Sequence, residues 1–164
     1  MQLCTLSVSN INNMKEWLSK YLTEEDLNKI KDEVAKVELA TSGEIRLSLR
    51  EKRRFWEKLY QPHELAVKDF EKLGMANTRD KTGIMIFIIF SERYYDILAD
   101  EGIYEKIPDD TWNALEAKLK EEFIRGSYLN GILHIVKQMG KILSKEFPRK
   151  ADDVNELSDE VVVH

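Results

Sequence analysis

Acidic side chains stand at both ends of two strand-like segments in the middle of the chain, and they are the first candidates for chemistry. A continuous apolar run covers Gly83 to Phe90, and a second strand-like run covers Tyr94 to Ala99. The acids around these runs are Asp80, Asp100, Glu101, Asp109 and Asp110. Because calcium and magnesium bind several carboxylate and carbonyl oxygens, the pattern predicts a Ca²⁺ or Mg²⁺ site. In the opposing interpretation, the aspartates only cap turns and helices.

The spacing of the two runs predicts that some of these acids meet. If the runs form a hairpin that closes at Ser91-Glu92, the two residue numbers of each facing pair add up to about 183. Asp80 then lies near Asp100 to Gly102, at the open end of the hairpin. A metal held there by Asp80, Asp100 and Asp109 would activate water and neutralise a phosphate, as in a metal-assisted phosphatase. The sequence offers no nucleophile with a neighbouring base beside them.

A second candidate site is basic and follows the first predicted strand. Its cationic residues are Arg50, Lys52, Arg53 and Arg54, with Arg93 from the hairpin corner. Phe55, Trp56 and Tyr60 stand beside them, and arginine mixed with aromatic residues is typical of interaction surfaces. The segment therefore predicts contact with an anionic partner, such as a phosphate or a lipid head group. The alternative is a solvated loop whose aromatic side chains pack into the core.

The order of the predicted elements favours a three-layer α/β/α sandwich with a small mixed sheet flanked by helices on both faces. Residues 44–50 alternate between apolar and polar, which indicates a half-buried strand near a sheet edge. A helix over 62–73 then connects this strand to the apolar run, so we expect the two strands to be parallel. The apolar run lacks polar alternation, which is typical of a strand in the middle of a sheet.

Length and composition set the broad class. The 164 residues carry a net charge of -5, which argues against a nucleic-acid-binding protein. No apolar run approaches the roughly 18 residues of a membrane-spanning helix. The first thirteen residues contain no lysine or arginine and do not read as a secretory signal, so we expect a cytoplasmic protein. We expect an N-terminal segment with a short helix over 1–21, one domain over 22–148, and a mobile acidic tail over 149–164.

Several motifs between Leu22 and Phe147 resemble those of a known family, the TPM domain. The family motif of an aspartate, a glycine, an apolar strand and an arginine is present as Asp80, Gly83, the run to Phe90, and Arg93. The other matching motifs are Leu22-Thr23-Glu24, Thr41-Ser42-Gly43-Glu44-Ile45, Gly102-Ile103 with Asp109, and Phe123, Gly126, Tyr128 and Gly131.

This family is shared by a thylakoid-lumen phosphatase, a photosystem II repair factor and bacterial membrane-anchored proteins. The resemblance implies the α/β/α fold, and it implies cation binding and phosphatase chemistry as family-typical activities. The chain departs from the family pattern at Asp100, where a glycine is common, and at Tyr104, where a glutamate is common. Neither a secretory signal nor a C-terminal membrane helix, both frequent in the family, is recognised, which predicts a stand-alone cytoplasmic member.

Together these features predict a binding or accessory module with a weak divalent-cation site and a protein partner, itself membrane-associated. The alternative is a metal-assisted acid phosphatase that hydrolyses phosphomonoesters. A third hypothesis is a peripheral partner of a membrane-associated complex that uses the basic segment.

Overall fold

A single mixed sheet lies at the centre of the molecule. The computed structural model describes residues 16–152 and 161–164. Within these ranges the strands are β1 (Glu44–Arg50), β2 (Gly83–Ile89), β3 (Tyr94–Ala99) and β4 (Val161–Val163). They form one four-stranded sheet in the order β3-β2-β1-β4. β1 is parallel to both β2 and β4, whereas β2 and β3 are antiparallel.

The predicted hairpin is confirmed, including its register. β2 and β3 pair Ile84 with Ala99 and Ile89 with Tyr94, so residues 90–93 close the turn. β2 is buried along its whole length, as expected for a strand with neighbours on both sides and helices over both faces. The open end of the hairpin therefore lies where the sequence predicts it.

Helices cover both faces of the sheet, which confirms the three-layer arrangement. In the described residues they are α1 (Glu24–Glu38), α2 (Pro62–Lys72), α3 (Glu101–Tyr104), α4 (Asp109–Ile124) and α5 (Tyr128–Glu146). One face carries the larger core, built from α1, α4, α5 and alternate residues of β1 and β2. The other face carries α2, where Leu65, Ala66 and Phe70 pack against Met85, Phe87 and Ile89.

The helix ends follow local sequence signals. Thr23 caps α1, because its hydroxyl accepts a hydrogen bond from the Asp26 N–H and the Asp26 carboxylate accepts one from the Thr23 N–H. Pro62 stands in the first turn of α2, where its missing N–H costs nothing. Within the described ranges, no helix is long and apolar enough to cross a membrane.

Two expectations about the sheet are wrong. β1 is predicted to be half-buried near a sheet edge, but all seven of its residues are buried, because helices cover both faces of the sheet and β4 pairs with its outer side. Residues 161–163, assigned to a mobile tail, form β4, in which Val162 and Val163 are almost completely buried. The reason is that three consecutive valines have high strand propensity and complete the sheet beside β1. Part of the predicted N-terminal helix and residues 153–160 of the tail lie outside the described residues.

Candidate functional site

The acidic site predicted at the open end of the hairpin is built around Asp100. The Asp100 N–H donates a 2.8 Å hydrogen bond to the Gly83 carbonyl and so continues the hairpin ladder. Oδ1 of Asp100 accepts a 2.8 Å bond from the Glu101 N–H and caps α3. Oδ2 is buried and has no hydrogen-bond partner among the described residues. A buried carboxylate oxygen without a donor is costly, so it is a candidate ligand for a cation.

The backbone of the Asp80 loop closes this end of the hairpin from the other side. A Cβ added at Gly102 would lie 2.6 Å from the Lys81 carbonyl oxygen and 3.0 Å from that of Asp80. The two segments therefore meet, as the hairpin register predicts. Such a close approach is possible only because residue 102 has no side chain.

The Asp80 carboxylate itself has a cationic partner. Oδ2 of Asp80 accepts a 2.7 Å bond from Nζ of Lys150. This hydrogen bond, with the charges of Lys150 and Arg79, holds the pKa of Asp80 below its ordinary value in spite of the opposing effect of burial. Lys150 thus lies where a cation that used the Asp80 oxygens would have to bind.

The other predicted ligands do not converge on the place where Asp100 meets the Asp80 loop. Glu101, Asp109 and Asp110 are exposed, and the two aspartates lie in the first turn of α4, where carboxylates favour the positive end of the helix. Within residues 16–152 and 161–164, no three acidic, histidine or cysteine side chains converge in a way that could hold a metal ion. In this geometry only Asp100 and nearby backbone carbonyls fit a cation, with water as the remaining ligands.

The basic segment forms a protruding turn at the opposite end of the sheet. Residues 55–59 make a 3₁₀ turn, and we call this turn, together with the approach from Lys52 and the exit to Tyr60, the aromatic turn. Its apolar side chains face solvent: Phe55 is 88% exposed, Leu59 85% and Trp56 53%. Hence the aromatic residues do not pack into the core, and the interaction-surface interpretation fits the structure better.

A buried ion cluster holds the aromatic turn in place. Nη2 of Arg50 lies 2.7 Å from Oδ1 of Asp69, and Nη1 lies 2.9 Å from Oε1 of Glu57. The other Glu57 carboxylate oxygen accepts a 2.7 Å bond from the Arg54 N–H. Asp69 also accepts a bond from Ser48 and lies 3.3 Å from Nε2 of His164. The turn is therefore tied to β1, α2 and the residue after β4.

The predicted cationic residues have different roles in the structure. Arg50 is 3% exposed, so its assignment to an exposed anion-binding segment is wrong, because its charge is used inside the ion cluster. Arg53 pairs with Glu92 at 2.8 Å across the hairpin corner. Lys52 and Arg54 are exposed, and the Arg54 guanidinium lies 5.8 Å from the Trp56 ring. Arg93 is exposed on the neighbouring corner.

A cavity that the sequence did not predict lies beside this corner. It has a volume of about 580 Å³, and we call it the aromatic pocket. Its lining includes Tyr21, Phe90, Arg93, Phe123, Arg125 and Tyr128. These residues come from three separate parts of the chain. The only sequence signal was the match of Phe123, Gly126 and Tyr128 to the family motif, which carries no indication of a cavity.

The outer edge of β3 carries a polar cluster that sequence reasoning also missed. Oδ2 of Asp96 lies 2.6 Å from Nδ1 of His63 and accepts a 2.9 Å bond from the Tyr94 hydroxyl. Burial and the neighbouring Asp96 carboxylate raise the pKa of Tyr94 well above its ordinary value. Burial, and to a lesser extent Asp96, also raises the pKa of Glu116. The cluster joins α2 to β3 and explains the presence of an aspartate in an otherwise apolar strand.

Comparison with known proteins places the chain in a defined group. The family model described as "TPM domain" matches residues 18–142. Among curated proteins, none matches this sequence. A similar solved structure is the NMR structure of the BA42 protein from the psychrophilic bacterium Bizionia argentinensis, with 28% sequence identity and a TM-score of 0.79. That likeness covers 88% of this chain and 96% of the BA42 chain.

Proposed function

The chain belongs to the TPM domain family, and from this premise we propose that it is a binding module that attaches peripherally to anionic membrane surfaces through its aromatic turn. The observation that carries the proposal is the exposure of Phe55 and Leu59 at the tip of that turn. Both side chains are at least 85% exposed, so each is accessible to an apolar phase without a change in the fold.

Apolar surface of this kind is thermodynamically unfavourable in water unless a partner covers it. Full burial of a phenylalanine or leucine side chain contributes about 1.5–3 kcal/mol. Trp56, half exposed beside Phe55, is of the residue type that prefers the boundary between lipid and water.

The charges around the tip suit an anionic surface. Lys52, Arg54 and Lys58 are exposed next to the apolar side chains. Each basic residue near an anionic membrane contributes about 1 kcal/mol of attraction, which salt weakens. The chain as a whole has a net charge of -5, so this local positive charge would orient the domain with the aromatic turn toward the lipid.

The ion cluster of Arg50, Glu57 and Asp69 contributes by holding the turn in one conformation. A side chain that is already ordered loses less entropy on binding than one on a flexible loop. The buried cluster therefore presents Phe55 and Leu59 in a binding-ready arrangement.

We expect the protein to sediment with vesicles that contain phosphatidylglycerol and to bind pure phosphatidylcholine vesicles much more weakly. Replacing Phe55 and Leu59 together by serine should weaken binding by roughly a hundredfold, since two contributions of about 1.5 kcal/mol add to about 3 kcal/mol. Leu39→Ser is the matched control, because Leu39 is 69% exposed but lies just beyond α1, outside the aromatic turn. Equal binding to both vesicle types, or an unchanged affinity of the double variant, would refute the proposal.

A second candidate function, divalent-cation binding, is favoured by the unpaired Oδ2 of Asp100. The cation would be Ca²⁺ or Mg²⁺, held weakly by Asp100 and backbone carbonyls with several waters. To use the Asp80 oxygens as well, it would have to displace the Lys150 ammonium. The Lys150 ammonium and an added divalent cation would therefore compete for the Asp80 carboxylate.

This competition makes an unusual prediction for calcium titration followed by NMR. Lys150→Gln should tighten calcium binding several-fold because it frees the Asp80 carboxylate, and Asp100→Asn should abolish it because it removes the buried charge. Lys145→Gln, which removes a more exposed lysine charge from α5, should leave the affinity unchanged. Absence of shifts at residues 80–83 and 100–102 in every variant would count against a cation site and against the alternative of a metal-assisted phosphatase, which depends on it.

A further inference from the structure

We propose that the aromatic pocket binds a small amphipathic monocarboxylate, with the apolar body of the ligand against the aromatic rings and its carboxylate at Arg93. This site is separate from the aromatic turn and from the acidic end of the hairpin. Its ligand class follows from the chemistry of its walls and of its rim.

The position of the pocket is one at which α/β proteins commonly bind ligands. Its lining includes Ile88, Ile89 and Phe90, at the carboxyl end of β2. Ligands of open α/β sheets bind preferentially outside the carboxyl ends of the strands. The volume of about 580 Å³ lies within the range of small-molecule sites, roughly 300–1,000 Å³.

The walls are aromatic and already in contact with one another. Phe90, only 5% exposed, stacks on Tyr21 with ring centroids 4.3 Å apart. Tyr128 meets the edges of both rings, at 5.2 Å from Tyr21 and 5.7 Å from Phe90. Phe123 continues the cluster at 5.1 Å from Tyr128. Rings held in this way offer flat apolar faces that need not reorganise when a ligand enters.

Arg93 supplies the charge at the rim. Its side chain is exposed, and the part of the chain that the structure describes gives it no carboxylate partner within ion-pair distance. Arg125, the other basic residue of the lining, is partly neutralised by Glu121 at 2.7 Å. The nearest acid in sequence, Glu92, pairs with Arg53. Arg93 is therefore the residue that can form a bidentate pair with an incoming carboxylate.

The backbone at Arg93 strengthens this assignment. Its φ of +50° places it in the left-handed region, which is unfavourable for a residue with a Cβ. A glycine would close the corner without that cost, so the fold itself gives no reason for an arginine here. Strained positions of this kind are concentrated at functional sites.

The test compares 3-phenylpropionate with its neutral amide as probes, in NMR titrations of the full chain. We expect shifts in the pocket residues, and binding of the carboxylate that is roughly tenfold or more tighter than that of the amide. Arg93→Gly should remove this preference while the melting temperature stays equal or rises, because the glycine relieves the strained backbone. Lys72→Gln, which removes one positive charge at the end of α2, should keep the preference.

A second variant tests the cavity itself. Ser91 is exposed and lines the pocket, so Ser91→Trp should obstruct it and weaken the binding of both probes. The proposal fails if the two probes bind equally well, if Arg93→Gly keeps the preference, or if the largest shifts lie outside the pocket.

Discussion

Replacing Asp69 by alanine is expected to lower the free energy of unfolding by about 3–5 kcal/mol, because it breaks a buried ion pair from one side. Asp69 is 1% exposed and accepts bonds from both Nη2 and Nε of Arg50. Without it, the Arg50 guanidinium stays buried, and Glu57 is the carboxylate that still pairs with it among the residues that the structure describes. A charge in that position cannot recover its hydration without opening the face of the sheet that α2 covers.

Urea denaturation followed by circular dichroism measures this loss directly. Asp152→Ala is the matched control: Asp152 also faces an arginine, at 3.5 Å, but is 78% exposed, so its removal should cost less than about 1 kcal/mol. Arg50→Met combined with Asp69→Leu and Glu57→Gln should recover much of the stability, since it removes all three charges of the cluster and keeps apolar volume. A loss below about 1 kcal/mol for Asp69→Ala would mean that the cluster is not an integral part of the fold.

Ending the chain after Glu160 is expected to destabilise the domain by about 3–6 kcal/mol, through the loss of Val162 and Val163. Their exposed fractions are 1% and 3%, and the burial of each valine contributes about 1.5–3 kcal/mol. The truncation would also leave β1 with an unpaired edge. Edges that are not protected promote association with other chains.

The same denaturation experiment, together with light scattering, checks this expectation. A chain that ends after Val163 is the control, because it keeps β4 and loses only His164, whose N–H donates a 2.9 Å bond to the Leu49 carbonyl. The free energy of unfolding of that control should fall by about 1 kcal/mol through the lost backbone bond, and slightly further through the lost contact with Asp69. If the truncation after Glu160 is as stable as the full chain, β4 does not contribute to the sheet in solution.

The elements with strong local signals could be predicted from the sequence. Strict alternation in residues 44–50 indicated β1, and the continuous apolar run indicated β2. The short corner between two such runs fixed the hairpin register, because a turn determines the pairing on both sides of it. The same register brought the Asp80 loop to Asp100, so this part of the candidate site was also predictable.

What the sequence could not reveal depends on contacts between distant residues. β4 pairs with a strand more than a hundred positions earlier, and three valines carry no information about their partner. Arg50 was expected in solvent because arginine usually lies there, but Asp69 in α2 neutralises it inside. The exposure of Phe55 follows from Glu57, whose side chain turns inward and leaves the apolar residues outward.

The pairing of β4 with β1 has a consequence for folding during translation. On the ribosome, the second neighbour of β1 is translated only about 110 residues after β1 itself. At roughly 5–20 residues per second, the nascent chain waits on the order of 6–20 s for that strand. During this interval the outer edge of β1 stays unpaired. We therefore expect a chaperone that binds apolar segments to remain on the nascent chain until residue 163 has left the exit tunnel.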